Sequence, residues 1–205
     1  MKKIVLYGDS NTYGYDPRGI LDRRYPKEDR WPDLLSRNPA WDIRAYGLNG
    51  RTIPRHNAEF AYLDQILMNT APFDLICIML GSNDLLYMME PDISFVSECA
   101  DRMLAYLLGR SCIGEDGGKV LLLSPPPFQI HDSYSAVHNQ VSLSFADTYR
   151  QLSETYHTHF ADVGQWNIEI SYDGVHFTEN GHHTFAKQMD TVLTQIFTPT
   201  PEAAP

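Results

Sequence analysis

Five short strand-like runs alternate along this chain with stretches of helical period, and that alternation constrains the fold more than any other feature. Lys3 to Tyr7, Asp42 to Tyr46, Asp74 to Leu80, Lys119 to Leu123 and His159 to Val163 read as strands. Between them apolar residues return every three or four positions: Phe60, Leu63, Ile66 and Leu67; Ile93, Val96, Ala100, Met103, Leu104 and Leu107; then Val141, Phe145, Tyr149, Leu152 and Tyr156. A closing helix carries Phe185, Met189, Val192, Leu193 and Ile196. Strands apolar on both faces need cover on both, which helical right-handed crossovers of a parallel sheet supply. The expected fold is therefore α/β, a three-layer α/β/α sandwich on a five-stranded parallel sheet. No internal repeat or Ser/Gly-rich linker divides the chain, so one domain is expected over residues 1–197, with the Pro- and Ala-rich residues 198–205 as a disordered tail.

Composition narrows the function classes. With 43% hydrophobic and 20% charged residues, the 205-residue chain can bury a full core without disulfides. Its net charge of -10 and the lack of a basic stripe argue against nucleic acid as a partner. Cys77, Cys99 and Cys112 show no CxxC spacing, consistent with a reduced, cytoplasmic setting. The apolar run after Lys2-Lys3 is too short for a signal peptide, and Leu75 to Leu80 is too short to span a bilayer, so no membrane role is expected.

Ligands of open α/β sheets collect beyond the carboxyl ends of the strands. Those positions hold Gly8-Asp9-Ser10-Asn11-Thr12 after strand one, Gly47-Leu48-Asn49-Gly50-Arg51-Thr52 after strand two and Gly81-Ser82-Asn83-Asp84 after strand three. Asp173-Gly174-Val175-His176 follows strand five and leads into a helix. A serine hydroxyl becomes nucleophilic when a base removes its proton and a carboxylate orients that base, and Ser10, His176 and Asp173 supply these parts. Attack on an ester also needs donors for the developing oxyanion, which the Asn83 amide and the backbone N–H groups of Gly50 and Ser10 offer.

These four blocks, in this order, resemble the SGNH hydrolases, the GDSL-like lipases and esterases. The resemblance implies a flavodoxin-like fold, Ser10 as nucleophile, Gly50 and Asn83 completing the oxyanion hole, and Asp173 and His176 completing a triad. Arg30-Trp31, Asp74 to Asp84, Lys119 to Pro127 and Asp173 to Glu179 look like the arylesterase and acyltransferase branch. That branch implies short-chain or aryl esters as small-molecule substrates, acyl transfer to alcohols, homo-oligomers and no cofactor. The same machinery serves carbohydrate deacetylases and thioesterases, and a scaffold protein would keep the fold without the activity. Asn11 departs from the family block, which usually has Leu there, and this bears on substrate preference.

Plainer readings stand beside these. Ser10 and Asn83 are residue types that cap helices, and Asp173 to His176 reads as an Asx-type turn. Asp9 and Asp84 are expected to fix turns rather than perform chemistry. His131, His138, His157, His159, His182 and His183 match no zinc spacing, so no metal site is expected. Tyr13, Tyr15, Trp31 and Phe177 serve core packing or acyl binding equally well, as Ser124 to Phe128 serve a pocket wall or a strand-ending loop. The charged segment Tyr15 to Trp31 is a candidate substrate or subunit loop.

Overall fold

The computed structural model describes residues 1–19 and 23–198. Strands β1 (Lys2–Gly8), β2 (Trp41–Gly47), β3 (Leu75–Met79), β4 (Val120–Ser124) and β5 (His159–Asp162) form one sheet in the order β2-β1-β3-β4-β5, every pair parallel. The expected architecture is thus observed, with no strand end shifted by more than one residue. The helices are α1 (Ser10–Tyr13), α2 (Trp31–Leu35), α3 (Asn57–Thr70), α4 (Ser82–Leu86), α5 (Ile93–Leu108), α6 (Ala136–Ser142), α7 (Phe145–Tyr156) and α8 (Glu179–Phe197).

Alternation along each strand sends neighbouring side chains to opposite faces. Val5, Tyr7, Ile76, Ile78, Val120 and Leu122 pack with Leu63 and Leu67 of α3, Met103 and Leu107 of α5, and Phe145 and Tyr149 of α7. Ile4, Leu6, Cys77, Leu121 and Leu123 pack on the other face with Trp31 and Leu35 of α2 and Phe185, Met189 and Leu193 of α8. Each such fully buried aliphatic or aromatic side chain contributes roughly 1.5–3 kcal/mol.

The periodic stretch from Val141 to Tyr156 is broken into α6 and α7 rather than running as one helix. Ser142 explains the break: its hydroxyl donates to Asn139 O at 2.7 Å and accepts the Phe128 N–H at 2.9 Å, while Ser144 N turns back to Val141 O at 3.0 Å. At the other end, Thr198 caps α8 by donating its N–H to Thr194 O at 2.9 Å, and residues 199–205 of the expected tail lie outside the described residues. In this strand order the chain leaves β1 toward β2 and leaves β3 toward β4, in opposite directions along the sheet, which opens a crevice at the carboxyl ends of β1 and β3.

Candidate active site

Beyond Gly8, the Asp9 carboxylate caps α1 by accepting the Asn11 N–H at 2.9 Å. Ser10 is therefore the first residue of the helix and not its cap, which leaves its hydroxyl for other work. Ser10 Oγ lies 3.0 Å from His176 Nε2, and His176 Nδ1 lies 2.6 Å from Asp173 Oδ2. With Nδ1–H donated to the carboxylate, Nε2 carries the lone pair that accepts the Ser10 hydroxyl. The other Asp173 oxygen accepts the N–H groups of Val175 and His176, each at 3.0 Å, so the carboxylate is held from three sides.

The loop that presents His176 is a tight hairpin. Ser171 N donates to His176 O at 2.7 Å, Thr178 N to Glu169 O at 3.0 Å, and Ile170 bridges Phe177. Gly174, at φ +75°, turns the chain between the acid and the base, and its carbonyl accepts the Gln129 N–H at 2.8 Å. A Cβ there would meet the Gln129 and Ile130 backbone at 2.4 Å, so the position requires glycine. The Thr178 hydroxyl accepts the Gly181 N–H and starts α8 directly after the hairpin.

The turn after β2 brings Gly50 in at φ +71°. Asn83, in the first turn of α4, donates from Nδ2 to Arg51 O at 2.9 Å. An asparagine amide has two such hydrogens, so this bond fixes the amide plane and leaves a second donor. Asp84 accepts the Ile53 N–H at 3.0 Å, tying α4 to the same turn. The Arg51 guanidinium donates to Gly8 O at 2.8 Å and to Tyr46 O, and lies 4.3 Å from the Tyr7 ring centre. One buried cation thus stitches the carboxyl ends of β1 and β2 together.

Ser10, Tyr15, Asn49, Gly50, Asn83, Tyr87 and His176 line one cleft of about 490 Å³. The Tyr15 ring packs 4.7 Å from the His176 ring. Burial pushes the Asp173 carboxyl up, but the hydrogen bond from the His176 ring and the N–H groups of His176 and Val175 outweigh it and hold the group below the usual carboxylate range. Asp9 is different: burial pushes it up to about 6, against the pull of the Asn11 N–H, His176 and Arg51. Burial also lifts Asp84 to about 6, opposed by the Ile53 N–H and Arg55.

All five candidate residues, Ser10, Gly50, Asn83, Asp173 and His176, therefore meet at one place, and neither Ser10 nor Asn83 is a cap. Asp9 and Asp84 fix turns, as expected. Trp31 and Phe177 belong to the core, whereas Tyr15 of the charged segment walls the cleft; Ile20 to Asp22 of that segment lie outside the described residues. Ser124 to Phe128 do not line the cleft, and the next residue, Gln129, supports the His176 hairpin from behind. The Asn11 side chain is also absent from the cleft wall. It is buried and bonds to the backbone on both sides of His176. Arg51, Asn49 and Tyr87 were not singled out from sequence, because long-range pairing gives an arginine or a loop tyrosine no local signature. Among the described residues, no group of three or more His, Cys, Asp or Glu side chains is placed to hold a metal ion.

The sequence has no match among curated proteins. Solved structures are closely similar over 96% of the chain. A carbohydrate acetylesterase family member from Sinorhizobium meliloti superposes with a TM-score of 0.81 at 29% identity over 99% of its own chain. The native M. smegmatis aryl esterase does so at 0.80 and 23% over all of its chain. Est24, a carbohydrate acetylesterase from Sinorhizobium meliloti, gives 0.78 and 21%, again over its whole length. The two less identical structures speak for the fold alone. The GDSL-like Lipase/Acylhydrolase family profile matches residues 6–184, nearly the whole described chain and every residue of the site, and the chain belongs to that family.

Proposed function

We propose that this carboxylic ester hydrolase cleaves short-chain or aryl esters of small molecules through an acyl-enzyme on Ser10. The observation that carries the reading is the Ser10–His176–Asp173 chain of hydrogen bonds, at 3.0 and 2.6 Å, opening into the cleft that Gly50 and Asn83 also line. Ser10 Oγ attacks the ester carbonyl while His176 Nε2 takes its proton, and Asp173 holds the imidazolium that forms. The N–H groups of Ser10 and Gly50 and the Asn83 amide stabilise the oxyanion. Collapse expels the alcohol, which receives the proton from His176. Water then attacks the acyl-enzyme, His176 again accepts a proton, and the carboxylic acid leaves with Ser10 restored. An alcohol in place of water gives acyl transfer. The free cysteines Cys77, Cys99 and Cys112 suit a reducing, cytoplasmic setting.

Deacetylation of a carbohydrate is the second reading. It draws on the 29% identical acetylesterase family member and on Tyr15 and Tyr87, whose rings offer apolar faces for a sugar at the mouth of the cleft. Steady-state hydrolysis of p-nitrophenyl acetate and of an O-acetylated sugar, by wild type and Ser10→Ala, tests both. Turnover of the aryl ester by wild type alone supports the first reading, and much higher kcat/KM on the sugar supports the second. Turnover by folded Ser10→Ala, or none by wild type on either, refutes the mechanism.

A further inference from the structure

Asn11 is joined to Ser10 by one peptide bond, and its side chain reaches across to the two residues joined to His176. Its Oδ1 accepts the Phe177 N–H at 3.0 Å and its Nδ2 donates to Val175 O at 3.2 Å. Only one orientation of an amide satisfies an N–H on one side and a C=O on the other, so the two bonds also fix the Asn11 rotamer. The residue is 3% exposed, and its own carbonyl accepts Trp31 Nε1–H at 2.9 Å, which anchors the clamp to α2 in the core. A closed ring results: Ser10 to Asn11 through the chain, Asn11 to the His176 hairpin through two hydrogen bonds, and His176 Nε2 back to Ser10 Oγ at 3.0 Å.

We propose that Asn11 is a positioning residue for His176, setting the approach of the base to the nucleophile without touching substrate. The inference rests on the reading of Ser10 and His176 as nucleophile and base. The G-D-S-L residue, leucine, could fill the space but would leave the buried Phe177 N–H without its acceptor and the hairpin free to shift against α1. Proton transfer is steep in distance, and a misplacement of about 1 Å costs on the order of 10²-fold in rate.

The test compares wild type with Asn11→Leu and Asn11→Asp, the second keeping the acceptor but losing the donor. For each, kcat and KM for p-nitrophenyl acetate, the rate of fluorophosphonate labelling at Ser10 and the melting temperature are measured on folded protein. The proposal expects Asn11→Leu to lose on the order of 10²-fold in kcat with KM within about twofold, labelling to slow in parallel, and Asn11→Asp to fall between. Should Asn11→Leu not fold, Asn11→Asp and Asn11→Ala decide by the same split. A lowered melting temperature with wild-type kcat and labelling per folded molecule would overturn the clamp and leave the proposed function standing. A wild type that neither turns over nor labels would overturn both.

Discussion

Asn83→Ala separates chemistry from stability because the Asn83 amide is tied to both. Its Nδ2 donates one hydrogen to Arg51 O at 2.9 Å, and the second is the donor assigned to the oxyanion. Removing the amide takes away a bond that strengthens as charge builds on the carbonyl oxygen, while the neutral ester hardly feels the loss. The expected cost is about 2.7–4 kcal/mol in the transition state, a fall of roughly 10²–10³-fold in kcat with little change in KM. Arg51 O also loses a partner, which costs about 1 kcal/mol. For a chain of this size that lowers the melting temperature by about 2–4 °C. Steady-state kinetics on an aryl acetate, corrected for the folded fraction and paired with a thermal melt, read the two effects apart. A destabilised variant with wild-type kcat per folded molecule would refute the oxyanion role.

Gly174→Ala is expected to abolish most activity and to lower the melting temperature, because the new Cβ would clash with the Gln129 backbone at 2.4 Å and push the hairpin off Ser10; near-normal turnover would contradict this. Burial lowers His182 to about 3, so its unfolded form takes up a proton first and its stabilising contribution, complete above about pH 6.5, is lost as pH falls toward 3. Asp9 and Asp84, raised to about 6, act in the opposite sense over about pH 4–6, so the wild-type curve alone cannot isolate His182. The stability difference between wild type and His182→Phe should instead move by about 2 kcal/mol in favour of the variant from about pH 7 to pH 5, measured by urea unfolding, and a constant difference would refute the assignment. Chelators should leave ester hydrolysis unchanged, since no step calls for a Lewis acid. Loss in EDTA with rescue by a divalent ion would reverse that.

The sheet was legible because its central strands β1, β3 and β4 are apolar on both faces, and the four site blocks were legible because each comes after a strand. Ser10 shows where local reasoning falls short. A serine after a strand reads as a helix cap, yet Asp9 takes that role, and only the Asn11 N–H to Asp9 bond reveals it. From sequence Asn11 bears on substrate preference because it borders the nucleophile; its two hydrogen-bond partners lie 164 and 166 residues away, and no spacing rule connects them. Arg51 escaped for the same reason, since its partners Gly8 O and Tyr46 O become neighbours only when β1 and β2 pair. The break between α6 and α7 depends on the Ser142 hydroxyl meeting Phe128 N, a contact invisible to helical periodicity.

The most direct measurement is intact-mass and peptide mapping after treatment with a fluorophosphonate, which reacts with a serine only where a neighbouring base has activated it. The account predicts one adduct per chain, on Ser10, absent from Ser10→Ala and formed far more slowly in His176→Ala. No adduct on folded protein that hydrolyses esters, or an adduct on another serine, would contradict it.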